Sequence, residues 1–172
     1  TRIMLPAAQQ ALAEAVAATG TPVVVLLRNG RALALEGAVR DAQAIVVTWF
    51  LGSQTGHAVA DVVFGDYSPS GRLPVSFPHD SGQQPFFYNH PRTGRPETPE
   101  MSEFKARWRE HPNSALYPFG HGLGYGRIEY GPTQVDAPAL EWDGSLQVRA
   151  AVANTGGGAA EEVAQLYVHD RV

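Results

Sequence analysis

The sequence predicts an α/β layer of alternating strands and helices, followed by the beginning of an all-β segment. Two runs, 22–27 and 44–50, are apolar at nearly every position, as strands buried on both faces of a parallel sheet require. Helix-favouring sequence surrounds both runs, and alternation of this kind is typical of α/β folds. After Gly126 the pattern changes to alternating apolar and polar residues over 145–152, the period of a half-buried strand.

The α/β elements follow in chain order. Pro6 suits the first turn of a helix, where its missing N–H costs nothing, and Gly20 offers a left-handed stop after that helix. The run 22–27 ends at the Asn29-Gly30 turn. Beyond the second run we predict a helix over 53–64 that is closed by Gly65, and a short strand over 72–77 whose internal proline confines it to a sheet edge.

The all-β segment is too short for a complete domain. We predict strands over 145–152 and 163–168, separated by a turn over 154–158. A β-sandwich of the immunoglobulin class needs about 100 residues and seven strands. We therefore expect the chain to be a piece of a longer protein, cut at both ends.

Composition excludes several classes of partner. The chain has 172 residues, of which 44% are hydrophobic and 17% charged, which is enough for a packed core. Its net charge of −4 argues against a nucleic-acid or anionic-membrane partner, because either would require a basic face. No apolar run reaches the roughly 18 residues needed to span a bilayer. The chain contains no cysteine, so disulfides and thiolate chemistry are excluded.

Sequence motifs do not mark a catalytic or metal site. The glycine-rich run 120–126 lacks the preceding strand and following helix of a phosphate loop, so it indicates a tight turn. The six histidines show no paired ligand spacing, and we expect neither a metal nor a cofactor. Asp61 and Asp66 suit a solvated or capping role better than general acid catalysis.

A long segment without periodicity, 78–116, separates the α/β layer from the glycine-rich run. It contains many Pro, His, Asn and Arg residues together with several aromatic residues. Loops longer than roughly 12–15 residues are usually functional or disordered. The aromatic residues favour an ordered loop that packs on a neighbour.

Five stretches, taken together and in order, resemble the α/β sandwich domain of the family 3 glycoside hydrolases: 21–31, 44–52 with Trp49-Phe50-Leu51-Gly52, 60–78, 88–96, and 116–125 with Tyr117-Pro118-Phe119-Gly120. The resemblance implies a partial three-layer α/β sandwich over 1–125. It also implies a truncated fibronectin type III-like domain over 126–172. The loop from Asn89-His90 to Arg95-Pro96 is similar to that of the bacterial periplasmic β-glucosidase branch.

The resemblance further implies a retaining β-glucosidase that acts on terminal non-reducing β-D-glucosyl residues of oligosaccharides or glucosides. In that family the nucleophile is an Asp on an N-terminal (β/α)8 barrel. The acid/base Glu is expected shortly before the position equivalent to Thr1. Both carboxylates would then lie outside this chain, so we assign it no catalytic residue and expect it to be inactive alone. The barrel domain is the expected partner, and the location implied is periplasmic or extracellular.

Four residues of the long loop are the candidates for sugar binding: Asn89, Arg95, Arg107 and Trp108. A guanidinium can donate paired hydrogen bonds to a sugar, and an indole can stack on its apolar face. Each of them could equally serve only to fasten the loop. The chain also departs from the family pattern, with Gln54 where a Glu is usual and Gly124 where a Ser is frequent. Because the barrel that carries sugar specificity in this family is expected outside the chain, a β-xylosidase or an N-acetylglucosaminidase of the same family remains an alternative. A non-catalytic carbohydrate-binding or structural domain is another.

Overall fold

The structure is a computed structural model that describes residues 2–91, 94–97 and 104–169. It divides into two compact units. The first comprises Thr1–Val59 and Arg72–His121, and the second comprises Ala60–Gly71 and Gly122–Val172. Across the described residues, no helix combines the length and apolar character needed to cross a bilayer.

Helix α1 (Ala7–Ala17) opens the first unit and begins directly after Pro6, as predicted. The Pro6 carbonyl accepts hydrogen bonds from the N–H groups of Gln9 and Gln10 at 2.9 and 3.1 Å. Gly20 follows the helix with φ at +75°, a left-handed conformation that glycine adopts without a Cβ clash. The proline and the glycine therefore bound this helix for the reasons that predicted them.

Strands β1 (Val24–Leu27) and β2 (Ala44–Val47) form a parallel pair, with the short helix α2 (Gly37–Arg40) between them. This strand–helix–strand unit confirms the α/β class. The prediction that both strand faces are buried is wrong for this chain. Leu27 is buried, but Val24 and Leu26 remain 49% and 42% exposed, because no described element covers that face of the pair.

The core of the first unit surrounds Phe77, which is completely buried. Its ring lies 6.3 Å from that of Trp49 and 6.5 Å from that of Tyr117. The remaining buried members of this cluster are Leu27, Leu33, Leu35 and Val39. These side chains come from β1, from α2 and from the segments beside them, so the parallel pair and the core form one body.

The predicted strand over 72–77 is wrong as a strand, although its pairing exists. Phe77 forms an isolated antiparallel bridge with Tyr117, and the Leu73 N–H donates to the His121 carbonyl at 2.8 Å. Pro74 and Pro118 lie within the two paired segments. Because proline cannot donate a hydrogen bond to a ladder, the pairing is interrupted before a strand forms.

The helix predicted over 53–64 is present as a 3-10 turn (Gly52–Gln54) followed by helix α3 (Thr55–Phe64). The Thr55 hydroxyl donates to the Gly52 carbonyl at 2.6 Å, within this first turn. Gly65 follows the helix with φ at +88°, which confirms the predicted stop. The boundary between the two units falls inside α3, after Val59.

The second unit contains two small antiparallel sheets. Strand β3 (Ile128–Tyr130) pairs with β6 (Val152–Asn154), and β4 (Gln134–Val135) pairs with β5 (Val148–Arg149). The single strand predicted over 145–152 is therefore wrong, because β5 and β6 belong to different sheets.

No strand is present over 163–168 either, all of which is described. The alternation of residues defines the faces of a strand, but a strand also needs a neighbouring edge to pair with. That segment is preceded instead by a side-chain contact, in which Glu161 accepts hydrogen bonds from Tyr67 and Ser70 at 2.6 and 3.1 Å. The division of the chain at 125/126 and the fibronectin type III-like character of its second part stay predictions.

Candidate functional site

The long loop over 78–116 is closed at its base by one buried amide. Gln83 ends a 3-10 turn (Ser81–Gln83) and is only 3% exposed. Its Oε1 accepts a hydrogen bond from the His79 N–H at 2.6 Å, and its Nε2 donates to the Pro112 carbonyl at 3.0 Å. One side chain thus joins backbone positions near the two ends of the loop. The prediction of an ordered loop is confirmed for this part.

Two histidines join the same ends of the loop. The rings of His79 and His111 are stacked, with their centroids 5.7 Å apart and their planes at 6°. Partial burial lowers the pKa of His79, and repulsion from His111 and Arg40 acts in the same direction. The stack therefore favours the neutral form of the His79 ring.

Three of the four predicted sugar-binding residues lie on backbone segments that hydrogen bonds bring together. The Ala106 N–H donates to the Arg95 carbonyl at 2.8 Å. Asn113 then contacts the backbone on both sides of Arg107: its Nδ2 donates to the Ala106 carbonyl and its Oδ1 accepts from the Trp108 N–H, both at 2.9 Å. Arg95 and Arg107 are exposed, and Trp108 retains 43% exposure. Their side chains are therefore accessible on a backbone that is locally fixed.

Asn89 lies in a separate aromatic part of the loop. The neighbouring Phe87 and His90 rings are 5.2 Å apart, and His90 Nδ1 lies 2.7 Å from the Pro91 carbonyl. The Asn89 side chain is exposed and makes no hydrogen bond within the described residues. Among the described residues, no hydrogen bond joins Asn89 to the segment that carries Arg107 and Trp108.

The two aspartates weighed as acids lie on or beside α3, and both are exposed. The Asp61 carbonyl accepts the Tyr67 N–H at 3.0 Å, which is a backbone role. Within the described ranges, no three His, Asp or Glu side chains are grouped so that they could hold a metal ion.

In the glycine-rich run, Gly124 lies close against the backbone of another segment. A Cβ at this position would lie 2.9 Å from the Pro69 carbonyl oxygen. Such a separation is shorter than real Cβ contacts, so a side chain at position 124 would require the two backbone segments to move apart. The predicted tight turn is present at the start of the run, where Gly120 has φ at +79° and the His121 N–H donates to the Pro118 carbonyl at 3.0 Å.

A further unusual feature lies at the carboxyl ends of β1 and β2. The Asn29 Nδ2 donates to the Arg31 carbonyl at 2.5 Å, while Asn29 Oδ1 is the one buried side-chain oxygen of the described residues that has no partner. Trp49, just after β2, has φ at +49°, which is unfavourable for a bulky residue. Strain and unpaired polar groups often accompany functional regions, but Oδ1 is closed off from any ligand as it stands.

Sequence reasoning missed Gln83 and Asn113. Both are amide residues in a loop, and such side chains often bind nearby backbone groups. Residue type alone is therefore only a weak indication of their role. Gln83 and Pro112 are 29 residues apart, and no local pattern identifies a partner at that distance.

Comparison with known proteins places the chain in a well-populated group. The model described as "Glycosyl hydrolase family 3 C-terminal domain" matches residues 1–125. The periplasmic β-glucosidase of Salmonella typhimurium is 43% identical over 99% of this chain, which spans 22% of that protein. A β-xylosidase of Formosa agariphila is 39% identical over 94% of the chain and 22% of its own length.

A solved structure gives the same result. The β-glucosidase of Listeria innocua in complex with glucose superposes with a TM-score of 0.83 and 39% identity, over 88% of this chain and 21% of that one. The chain thus spans about a fifth of the length of these relatives. The matches confirm the resemblance that the five sequence stretches indicated.

Proposed function

Because this chain belongs to glycosyl hydrolase family 3 and matches its C-terminal domain over residues 1–125, we propose that it is part of a retaining β-glucosidase. The whole enzyme would hydrolyse terminal non-reducing β-D-glucosyl residues of oligosaccharides or glucosides. Relatives named β-glucosidase, one of them periplasmic, support both this activity and a periplasmic or secreted location. In this proposal the α/β part is a piece of a three-layer sandwich, and the segment after it is the start of a fibronectin type III-like domain.

The chemistry of this reaction would come from outside the chain. A retaining glycosidase needs two carboxyl groups about 5–5.5 Å apart. Asp61 and Asp66 are exposed residues on or beside α3, where neither is placed for that work. We propose that the nucleophilic Asp lies on a (β/α)8 barrel domain and that the acid/base Glu precedes this chain. The chain alone is then expected to be inactive.

This chain would contribute part of the sugar-binding surface. The observation that carries the proposal is the convergence of Arg95, Arg107 and Trp108 on one hydrogen-bonded piece of the long loop. An exposed guanidinium and an exposed indole on adjacent positions suit the hydroxyl groups and the apolar face of a sugar. We propose that they contact the leaving-group sugar, and that Asn89 contributes from the neighbouring aromatic part of the loop.

The test is steady-state kinetics of the whole enzyme that contains this chain. Trp108→Ala and Arg107→Ala should lower kcat/KM for cellobiose by on the order of 5- to 150-fold, since one stacking or charged hydrogen-bond contact is worth about 1–3 kcal/mol. The loss should lie mainly in KM, because a contact made equally in ground and transition states does not change kcat. An aryl β-glucoside with a good leaving group should be affected much less.

Two variants provide matched controls. Arg109→Ala removes a neighbouring exposed guanidinium, and Trp142→Ala removes a fully exposed indole of the second unit. Both should leave cellobiose kinetics within about twofold, as surface substitutions usually do. Equal losses on both substrates in Trp108→Ala would indicate a misfolded loop, and an unchanged kcat/KM would show that these residues face away from the sugar.

A β-xylosidase activity is the second candidate, because a β-xylosidase is 39% identical to this chain. The residues that distinguish glucose from xylose would lie on the proposed barrel domain. A panel of aryl β-glucosides, β-xylosides and N-acetyl-β-glucosaminides, given to the whole enzyme, separates these activities. Carbohydrate binding without turnover of any of them would favour the non-catalytic alternative.

A further inference from the structure

We infer that Asn113 is a positioning residue, which holds Arg107 and Trp108 in the orientation that sugar binding requires. The inference rests on the proposed function, since it presumes that these two side chains contact the leaving-group sugar. Asn113 would act through its side-chain amide, which binds the backbone of residues 106–108.

The geometry that carries the inference is a two-point contact around Arg107. Asn113 donates to the carbonyl that precedes Arg107 and accepts the N–H that follows it, at 2.9 Å in both cases. The amide orientation is set by this pattern, because exchanging its nitrogen and oxygen would oppose donor to donor and acceptor to acceptor. Both polar atoms of the side chain are thus used, and both are used on the same three-residue segment.

A second hydrogen bond fixes the same segment independently. The Ala106 N–H donates to the Arg95 carbonyl at 2.8 Å, so residues 106–108 are bound by Arg95 and by Asn113. No helix or strand is assigned to residues 104–116, so no ladder restrains this backbone. The Asn113 amide therefore does for Arg107 what a neighbouring strand does for a residue in a sheet.

Loss of this contact would leave Arg107 and Trp108 present but less well placed. The freed carbonyl and N–H lie in an exposed segment, so water can replace the amide and the loop need not unfold. The segment would then sample several backbone conformations, and ordering them again on binding has an entropic cost. Binding of the sugar should weaken although every sugar-contacting side chain remains.

The experiment measures kcat and KM of the whole enzyme for cellobiose and for an aryl β-glucoside in Asn113→Ala. We expect kcat/KM for cellobiose to fall by about 5- to 50-fold, as expected for one or two lost hydrogen bonds. The fall should lie mainly in KM, with a much smaller change for the aryl glucoside. Asn113→Asp keeps the acceptor for the Trp108 N–H but sets a carboxylate oxygen against the Ala106 carbonyl, so its loss should be at least as large as that of Asn113→Ala.

A mutant cycle separates positioning from general stability. If Asn113 acts only through Arg107 and Trp108, then Asn113→Ala should lower cellobiose kcat/KM by less than about twofold in a background that already carries Arg107→Ala and Trp108→Ala. Asn154 provides the control, because it makes the same kind of contact in the second unit, donating to the Gly158 carbonyl at 2.7 Å and accepting from the Gly156 N–H at 3.0 Å. Asn154→Ala should leave both substrates unchanged.

The outcomes distinguish this inference from the proposed function. If Trp108→Ala and Arg107→Ala both leave cellobiose kinetics unchanged, the sugar-binding proposal fails and the inference fails with it. If those variants lose activity while Asn113→Ala does not, the inference alone is overturned. The inference would also be overturned if Asn113→Ala kept its full effect in the background that lacks both Arg107 and Trp108. Equal losses on both substrates in Asn113→Asp and Asn113→Ala would overturn it as well.

Discussion

The buried amide of Gln83 offers the most direct test of how the long loop is stabilised. In Gln83→Ala, the His79 N–H and the Pro112 carbonyl lose partners at 2.6 and 3.0 Å. Each lost hydrogen bond is worth about 0.5–1.5 kcal/mol, and a buried group left unpaired costs about 1–3 kcal/mol. Because Gln83 is 3% exposed, water cannot easily replace its amide. We therefore expect the free energy of unfolding to fall by about 2–4 kcal/mol.

The assay is urea unfolding followed by far-UV circular dichroism, with the midpoint converted to a free energy through an unchanged m value. Gln84→Ala is the matched control, because the adjacent Gln84 is exposed and its Oε1 accepts only the Phe86 N–H, at 3.3 Å. That variant should stay within about 0.5 kcal/mol of the parent. Equal unfolding midpoints for the two variants would refute the conclusion that the Gln83 amide holds the two ends of the loop together.

A charge variant at the same position tests burial separately. Gln83→Glu keeps an acceptor for the His79 N–H and removes the donor to the Pro112 carbonyl. Burial disfavours the ionised carboxylate and raises its pKa, so stability is retained below the unfolded pKa of about 4.3 and is lost as pH rises above it. The deficit relative to the parent should be larger at pH 8 than at pH 5. A deficit independent of pH would mean that water reaches this site.

Two further predictions concern the histidine stack and the second unit. Burial and the neighbouring His111 lower the pKa of folded His79, so below about pH 6.5 the unfolded chain binds a proton that the folded chain does not. The free energy of unfolding should therefore fall as the solution is acidified through this range, and it should fall less steeply in His79→Gln. An unchanged slope in His79→Gln, or an equal change of slope in the control His57→Gln on an exposed helix position, would contradict this. Leu166 and Val168 are 70% and 89% exposed, so replacing both by Lys should reduce light scattering of the isolated chain, because charge opposes association through exposed apolar side chains. Scattering that persists would mean that the aggregating surface lies elsewhere.

The α/β class could be predicted because its signals are local. An apolar run, a glycine that adopts positive φ and a proline at a helix start each act within a few residues. The strand predictions over 72–77 and 163–168 failed for a non-local reason. Whether an extended segment becomes a strand depends on a partner edge and on the donors available there, and neither is visible in the segment itself.

The candidate site likewise contains some residues that the sequence could predict and others that it could not. Arg107 and Trp108 could be proposed from their size and charge in polar sequence, and the structure leaves both exposed. Asn113 could not, because its importance comes from two backbone atoms that no sequence pattern assigns to it. Asn89, although chosen on the same grounds as the others, lies in a different part of the loop.

Side-chain amides fix the backbone at two points in the described parts of this loop. Gln83 joins its two ends, and Asn113 fixes the segment that presents Arg107 and Trp108. A sheet would fix the same backbone, but it would also impose the alternation of its side chains and bury one face. Amide contacts fix a few chosen backbone atoms and leave the intervening side chains exposed. The side chains at 107 and 108 are both exposed, so replacing them should have little effect on the packing that stabilises the first unit. In the proposed enzyme, such a loop would change its sugar contacts through these two side chains while the core of the first unit stays the same.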